Sequence, residues 1–271
     1  MDPGPQDAEA YRDRLGLHGD VVRFEDGSLP VFAIGDELVL KLFPPRYHDE
    51  VAVEVAVMEA VHGRLPVPTP RLHDTGLLDD WAYVLMSRLR GDEPRVPDVE
   101  VSAQVGDMLK ALHAIAPPEV LGPRDWAAFV GEQRATCVEQ QRKHGLNRLW
   151  LERISEFLDG VEFGDEPPVL LHTEVMSAHL LSRNGRLSGL FDFEPAMRGA
   201  FEYDFASVGV FVTKGDPRCW KALVDAYGRV PRPERVMAYA LLHVYSNMPW
   251  YMREMPGGDS FGELAARWFG A

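Results

Sequence analysis

The sequence predicts an α+β protein of two lobes: a small antiparallel β lobe over residues 1–89 and a larger, mainly helical lobe over residues 90–271. Three observations predict it. Short Val-, Leu- and Phe-rich runs with Gly/Asp turns cluster between Val21 and Phe43 and again between Trp81 and Leu89. Beyond Arg90-Gly91-Asp92-Glu93-Pro94 the pattern changes to apolar residues at helical spacing. A chain of 271 residues is also near the size at which a single core stops growing.

In the first lobe, Val21–Phe24, Pro30–Ile34 and Leu38–Phe43 read as a meander, with Asp26-Gly27-Ser28 and Gly35-Asp36 as its turns. Lys41 interrupts the third strand with apolar residues on both sides. It is either an edge or snorkelling lysine or a cation aimed into a cleft toward phosphates. Asp49–Gly63 reads as a helix with Asp49 as N-cap, Gly63 as its stop, and Val51, Val55, Met58 and Val61 on one stripe. Glu54 on that helix is placed to reach back to Lys41. The proline-rich run Leu65–Arg71 must be an extended connector. The strand Trp81–Leu89 then leads into a hinge at Met86-Ser87-Arg88.

Helices are expected at 101–115, 125–143, 147–159, 216–228, 233–247 and 260–268. His113 ends the first of these, where a structural cation suits the helix dipole. Asp204 reads as the cap of a helix through Val212. The chain is organised around Val169–Glu194. A strand, Val169–Leu171, enters a polar loop, His172–His179, and two strands then flank Asn184-Gly185, a pair suited to a hairpin turn that needs positive φ twice. The hairpin folds Asp192 and Glu194 beside the loop carrying His172, Glu174 and His179. Such groups are costly to bury without partners.

Composition narrows the partners. Hydrophobic residues make up 46% of the chain, which excludes general disorder. Twenty-eight basic against 42 acidic residues give a net charge of −14, which argues against nucleic acid. Cys137 and Cys219 form neither a disulfide framework nor a metal motif, so a reducing compartment is expected. The start, Met1-Asp2-Pro3-Gly4-Pro5, lacks a signal-peptide pattern, and no apolar run approaches the roughly 18 residues of a membrane span. The expectation is a cytoplasmic protein with a small-molecule partner and no membrane partner.

A phosphoryl-transfer site needs a cation on the nucleotide phosphates, a carboxylate near the acceptor hydroxyl and oxygen ligands for Mg2+. Lys41, Glu174 and Asp192 are candidates for the three. Their order along the chain resembles that of the protein-kinase-like small-molecule kinases, most closely the aminoglycoside and hygromycin phosphotransferases, over nearly the whole sequence. Val39-Leu40-Lys41-Leu42-Phe43 is similar to the family's nucleotide-lysine strand and Glu54 to its helix glutamate. Ala82–Arg88 resembles the purine-holding strand and hinge. Leu170–Val175 stands at the catalytic loop, Phe191-Asp192-Phe193 at the metal-binding aspartate and Tyr203-Asp204 at a later Tyr-Asp pair.

The resemblance implies a protein-kinase-like fold that uses ATP or GTP with Mg2+ to phosphorylate an antibiotic such as hygromycin, an aminoglycoside or a capuramycin-type nucleoside. Relatives act on macrolides, choline and homoserine. It implies nucleotide contacts at Lys41, Glu54, Met86, Ser87 and Arg88, with Ser28 covering the phosphates. Metal would be held by Asp192 and His179. Glu194, Arg198, Glu202, Trp250 and Tyr251 lie where acceptor sites are usually built.

The sequence departs from the family pattern in the catalytic loop, where Glu174 replaces an aspartate, Thr173 a glycine and His179 an asparagine. Three accounts stand. Glu174 alone orients the hydroxyl; Glu174 and His179 form a base dyad; or the site binds nucleotide without transferring its phosphate.

Overall fold

A computed structural model describes residues 3–25 and 27–270. Asp26, one residue of the expected phosphate-covering turn, lies outside the described residues. Helix α1 (Pro5–Arg14) buries Ala8 and Tyr11 against an antiparallel sheet. That sheet contains β1 (Val21–Arg23), β2 (Val31–Ile34), β3 (Leu38–Phe43), β4 (Leu72–Leu78) and β5 (Trp81–Ser87), in the order β1-β2-β3-β5-β4. β3 is therefore internal, with Lys41 opposite Val31 on one side and Val84 on the other. The edge-lysine alternative fails on this register. Helix α2 (His48–Val61) covers one face of the sheet and buries Glu54, Val57, Met58 and Val61.

Two local expectations are corrected. Helix α2 starts at His48 after Tyr47, so Asp49 lies inside the first turn, where its charge suits the helix dipole, and does not cap. The sheet has a further strand, β4, in a stretch the sequence leaves unassigned. Its polar residues His73, Asp74 and Thr75 are exposed, as an edge strand allows.

The helical part holds α3 (Val99–His113), α4 (Trp126–Lys143) and α5 (Arg148–Asp159), within a residue or two of their expected bounds. Asp98, Asp125 and Asn147 each cap a helix by accepting a backbone N–H. Strand β6 (Val169–Leu171) runs into the polar loop, and β7 (Leu180–Arg183) and β8 (Arg186–Leu190) form the predicted hairpin. Asn184 and Gly185 both have positive φ, 53° and 74°. Strand β9 (Met197–Gly199) pairs with β6, and α6 (Glu202–Val208) follows. A π-helical turn at Gly209–Thr213 leads to α7 (Pro217–Tyr227), α8 (Pro233–Leu242), α9 (Met248–Glu254) and α10 (Phe261–Phe269). α7 lies so close to α3 that a Cβ on Gly106 would collide with the Leu223 carbonyl.

The expected helix 233–247 stops early because His243 turns away from it. His243 Nε2 donates to the Thr173 carbonyl at 3.1 Å, its Nδ1 accepts from the Tyr245 amide at 3.2 Å, and Pro249 opens the next helix. Asp204 is not a cap. It sits inside α6, fully buried, and accepts from the amides of His172 (3.1 Å) and Thr173 (2.6 Å) and from His113 Nε2 (3.0 Å). The structural role of His113 thus runs through Asp204.

One buried carboxylate therefore fixes the polar loop from behind. Thr173 is held at φ +70°, an unfavourable conformation for a β-branched residue and one that glycine adopts freely. Its N–H, its Oγ1 and its carbonyl are bonded to Asp204, Pro195 and His243 respectively, and together these bonds sustain the strain.

Replacing Asp204 with Asn would set an NH2 group against N–H donors. We expect a loss of about 3 kcal/mol in urea unfolding; a loss under about 1 kcal/mol would contradict the anchoring role. Burial pulls His243 down to about 4, against the Thr173 carbonyl and the Asp204 charge, so it is neutral in the fold. The unfolded chain, with an imidazole near 6.5, binds one more proton between those values. The stabilising contribution is present above pH 6.5 and is lost as pH falls toward 4, by about 1.4 kcal/mol per unit. Unfolding of His243→Gln between pH 7 and 4 should show that slope removed, and slopes equal to the wild type would overturn it.

Candidate active site

Lys41 leaves the middle of the sheet and meets three carboxylates. Its Nζ lies 2.9 Å from Glu54 Oε2 and 2.6 Å from Asp192 Oδ1, and it also contacts Glu194 Oε2. The lysine and Glu54 are buried at 4% and 1% exposure, so each charge depends on the other for its compensation. Burial alone would lower the lysine, but the carboxylates hold it well above its ordinary value. Burial also pushes Glu194 up to about 9; Lys41 opposes this while Asp192 and Glu54 add to it. Asp192 goes the other way. Burial would raise it, but Lys41, a hydrogen bond with Glu194 and His179 hold it well below the usual carboxylate range. Asp192 is the charged member of this pair, and Glu194 takes the proton.

Asp192 has φ +76°, a left-handed position at the end of the hairpin. Its Oδ1 faces Lys41, and its Oδ2 lies 3.1 Å from His179 Nε2. His179 is oriented by main chain: its Nδ1 donates to the Glu174 carbonyl at 2.8 Å. The imidazole is thus set by the Glu174 backbone, whereas the dyad account requires its carboxylate. The Glu174 carboxylate lies with His179 and Asp192 in a group whose ligand atoms are all within 4.8 Å of one another. Burial raises Glu174 above an ordinary glutamate, with Asp192 adding and His179 and Lys41 opposing. His172 is pulled down to about 4 by burial and by His179, and its Nε2 donates to the Phe191 carbonyl at 3.0 Å. It ties the loop to the hairpin.

A cleft of about 440 Å³ opens between the sheet and the β7–β8 hairpin. Lys41, Glu54, Met86, Ser87, Arg88, His179 and Asp192 all line it, so the sequence-predicted nucleotide and metal residues are brought together. Ser28 is exposed and outside the lining; Gly27 is the residue of that turn that reaches the cleft. In the hinge, the amides of Ser87 and Arg88 are committed to the carbonyls of Arg71 (2.9 Å) and Glu37 (2.7 Å).

The expected acceptor residues divide. Tyr251 and Glu174 line a second pocket of about 40 Å³, together with Met176, Phe211, His243 and Tyr245. Trp250 is half-buried and stacks on Phe211 with ring centroids 5.5 Å apart. Two residues are corrected. Glu194 is engaged by Lys41. Glu202 is 2% exposed and bonded to Arg235 at 2.9 Å, which makes it a structural partner. Arg198 sits in β9, paired with Leu170, and its amide donates to the Gly122 carbonyl at 2.8 Å. Phe211 and Met176 were missed, because an aromatic residue and a methionine in apolar surroundings read as core.

Two groups among the described residues have the ligands for a divalent cation: Glu54, Asp192 and Glu194, and Glu174, His179 and Asp192. The first is all oxygen, as Mg2+ prefers, but the Lys41 ammonium already sits among its three carboxylates. The second shares Asp192 with Lys41 through Oδ1 only, and it includes an imidazole nitrogen, which lies 3.1 Å from Oδ2.

The fold is shared with solved phosphotransferases. A macrolide 2′-phosphotransferase from Brachybacterium faecium superposes with a TM-score of 0.70 at 19% identity, covering 98% of both chains. The GDP complex of wild-type aminoglycoside 2′-phosphotransferase-IIIa also gives 0.70, at 16% identity over 87% of this chain and 86% of that one. A homoserine kinase from Bartonella henselae is 24% identical over 217 residues, covering 74% of this chain and 68% of that protein. No helix among the described residues is long and apolar enough to cross a membrane. The model of the phosphotransferase enzyme family matches residues 20–239, so the chain belongs to that family.

Proposed function

We propose that this phosphotransferase moves the γ-phosphoryl group of ATP or GTP to a hydroxyl of an antibiotic-like small molecule. The observation that carries the reading is the position of Glu174. It lines the small aromatic pocket while its carboxylate lies within 4.8 Å of the ligand atom of Asp192, which lines the large cleft. A hydroxyl in the small pocket would meet a nucleotide in the cleft at that carboxylate. Structural neighbours support the donor and acceptor classes: one is a streptomycin–ATP ternary complex, another a GDP and kanamycin complex.

Lys41 would hold the nucleotide phosphates while Glu54 keeps its charge compensated. Asp192 and His179 would hold a divalent cation, which when bound neutralises charge on the phosphates. Glu174 would orient the acceptor hydroxyl where the two pockets meet. For the acceptor, Phe211, Tyr245 and Tyr251 form an apolar and aromatic wall. This wall favours a molecule with an apolar or planar face next to its hydroxyl over a uniformly cationic sugar.

Incubation with γ-labelled ATP or GTP and a panel of aminoglycosides, macrolides, nucleoside antibiotics and homoserine should label one acceptor class. A nucleotide-dependent rise in melting temperature with no acceptor labelled would leave only a binding protein. With the acceptor in hand, Glu174→Gln should lower kcat at least about 100-fold at unchanged nucleotide affinity. Trp250→Ala should raise the acceptor KM about 10-fold and leave the nucleotide KM alone; an unchanged acceptor KM would place the acceptor elsewhere.

A further inference from the structure

His179 stands 3.1 Å from Asp192 Oδ2 with its other nitrogen committed. Because a carbonyl oxygen only accepts, Nδ1 carries the hydrogen it gives to Glu174, which leaves Nε2 as the ring nitrogen that faces Asp192. A metal ion entering here would displace any proton from Nε2 and take the two atoms as ligands. The spacing also suits shared coordination: two ligands about 2.1 Å from one ion, at right angles, lie about 3.0 Å apart. Glu174 supplies a third ligand atom within 4.8 Å of both. The alternative oxygen-only set, Glu54 with Asp192 and Glu194, is filled by the Lys41 ammonium.

We propose that Glu174, His179 and Asp192 form a mixed nitrogen–oxygen site that selects a first-row transition-metal dication over Mg2+. Mg2+ favours oxygen ligands and gains little from an imidazole, whereas first-row ions gain progressively from nitrogen. The Nδ1 hydrogen bond to the Glu174 carbonyl fixes the ring so that Nε2 is the free ligand atom, the arrangement metal-binding histidines use. The ion's place beside a nucleotide rests on the kinase reading; its selectivity rests on the ligand atoms alone.

The test uses the full chain without nucleotide or acceptor. Co2+, Mn2+ and Mg2+ are titrated separately by calorimetry, and Co2+ also by its visible absorption, which reports its coordination. The expected order of affinity is Co2+, then Mn2+, then Mg2+, with Co2+ at least about 10-fold tighter than Mg2+. His179→Asn, with circular dichroism as the folding control, should weaken Co2+ at least about 10-fold and leave Mg2+ within a few-fold. In the wild type, Mn2+ should broaden the His179 imidazole resonances, a readout that needs no variant. Co2+ binding no tighter than Mg2+, or unchanged by His179→Asn, would overturn the site. Its failure is distinguishable from that of the kinase reading. Phosphoryl transfer with Mg2+ alone and no His179-dependent Co2+ site would sink the metal proposal. A His179-dependent Co2+ site in a protein that labels no acceptor would support it.

Discussion

The burial of the Lys41 ammonium among the carboxylates of Glu54, Asp192 and Glu194 is the interaction on which the site depends. It joins three separate pieces of chain: the central strand of the sheet, the helix that covers it, and the hairpin end 151 residues away. Lys41 and Glu54 sit where water cannot compensate them, so removing either would strand the other. The same clamp sets the charge balance of the cleft. Three carboxylates around one ammonium leave an excess of negative charge, relieved in part by a proton on Glu194.

A second buried carboxylate does for the polar loop what Lys41 does for the cleft. Asp204 takes two consecutive loop amides and a histidine from α3, and so sets the backbone from which Glu174 projects. The neutral imidazoles of His172 and His243 close the loop from two further sides. With its backbone so constrained, the loop can carry Thr173 in a left-handed conformation and hold Glu174 at the junction of the two pockets.

Much of this was legible in the sequence, for identifiable reasons. Strong periodicity placed α3, α4 and α5, and Asn184-Gly185 placed the hairpin, because those signals are local. Lys41, Glu54, His179 and Asp192 were found through residue type and order along the chain, since a lysine inside an apolar strand and polar residues at strand ends need partners. What stayed hidden was set by tertiary contacts. Strand β4 is polar because it is an edge; α8 ends at His243 because of a bond to a loop 70 residues away. Asp204 looked like a cap because nothing nearby in sequence names its three partners. Glu202 looked available because Arg235, which buries it, lies 33 residues on.

The most direct test of the central claim, that Lys41 stands ready to receive nucleotide phosphates, is chemical. A nucleotide acyl-phosphate acylates an amine lying against its phosphate groups. Peptide mass spectrometry after brief incubation should find the modification at Lys41, with ATP or GTP protecting against it. Nucleotide binding with Lys41 unmodified and another lysine acylated in its place would contradict the account, and would leave the Lys41 clamp as a purely structural ion pair.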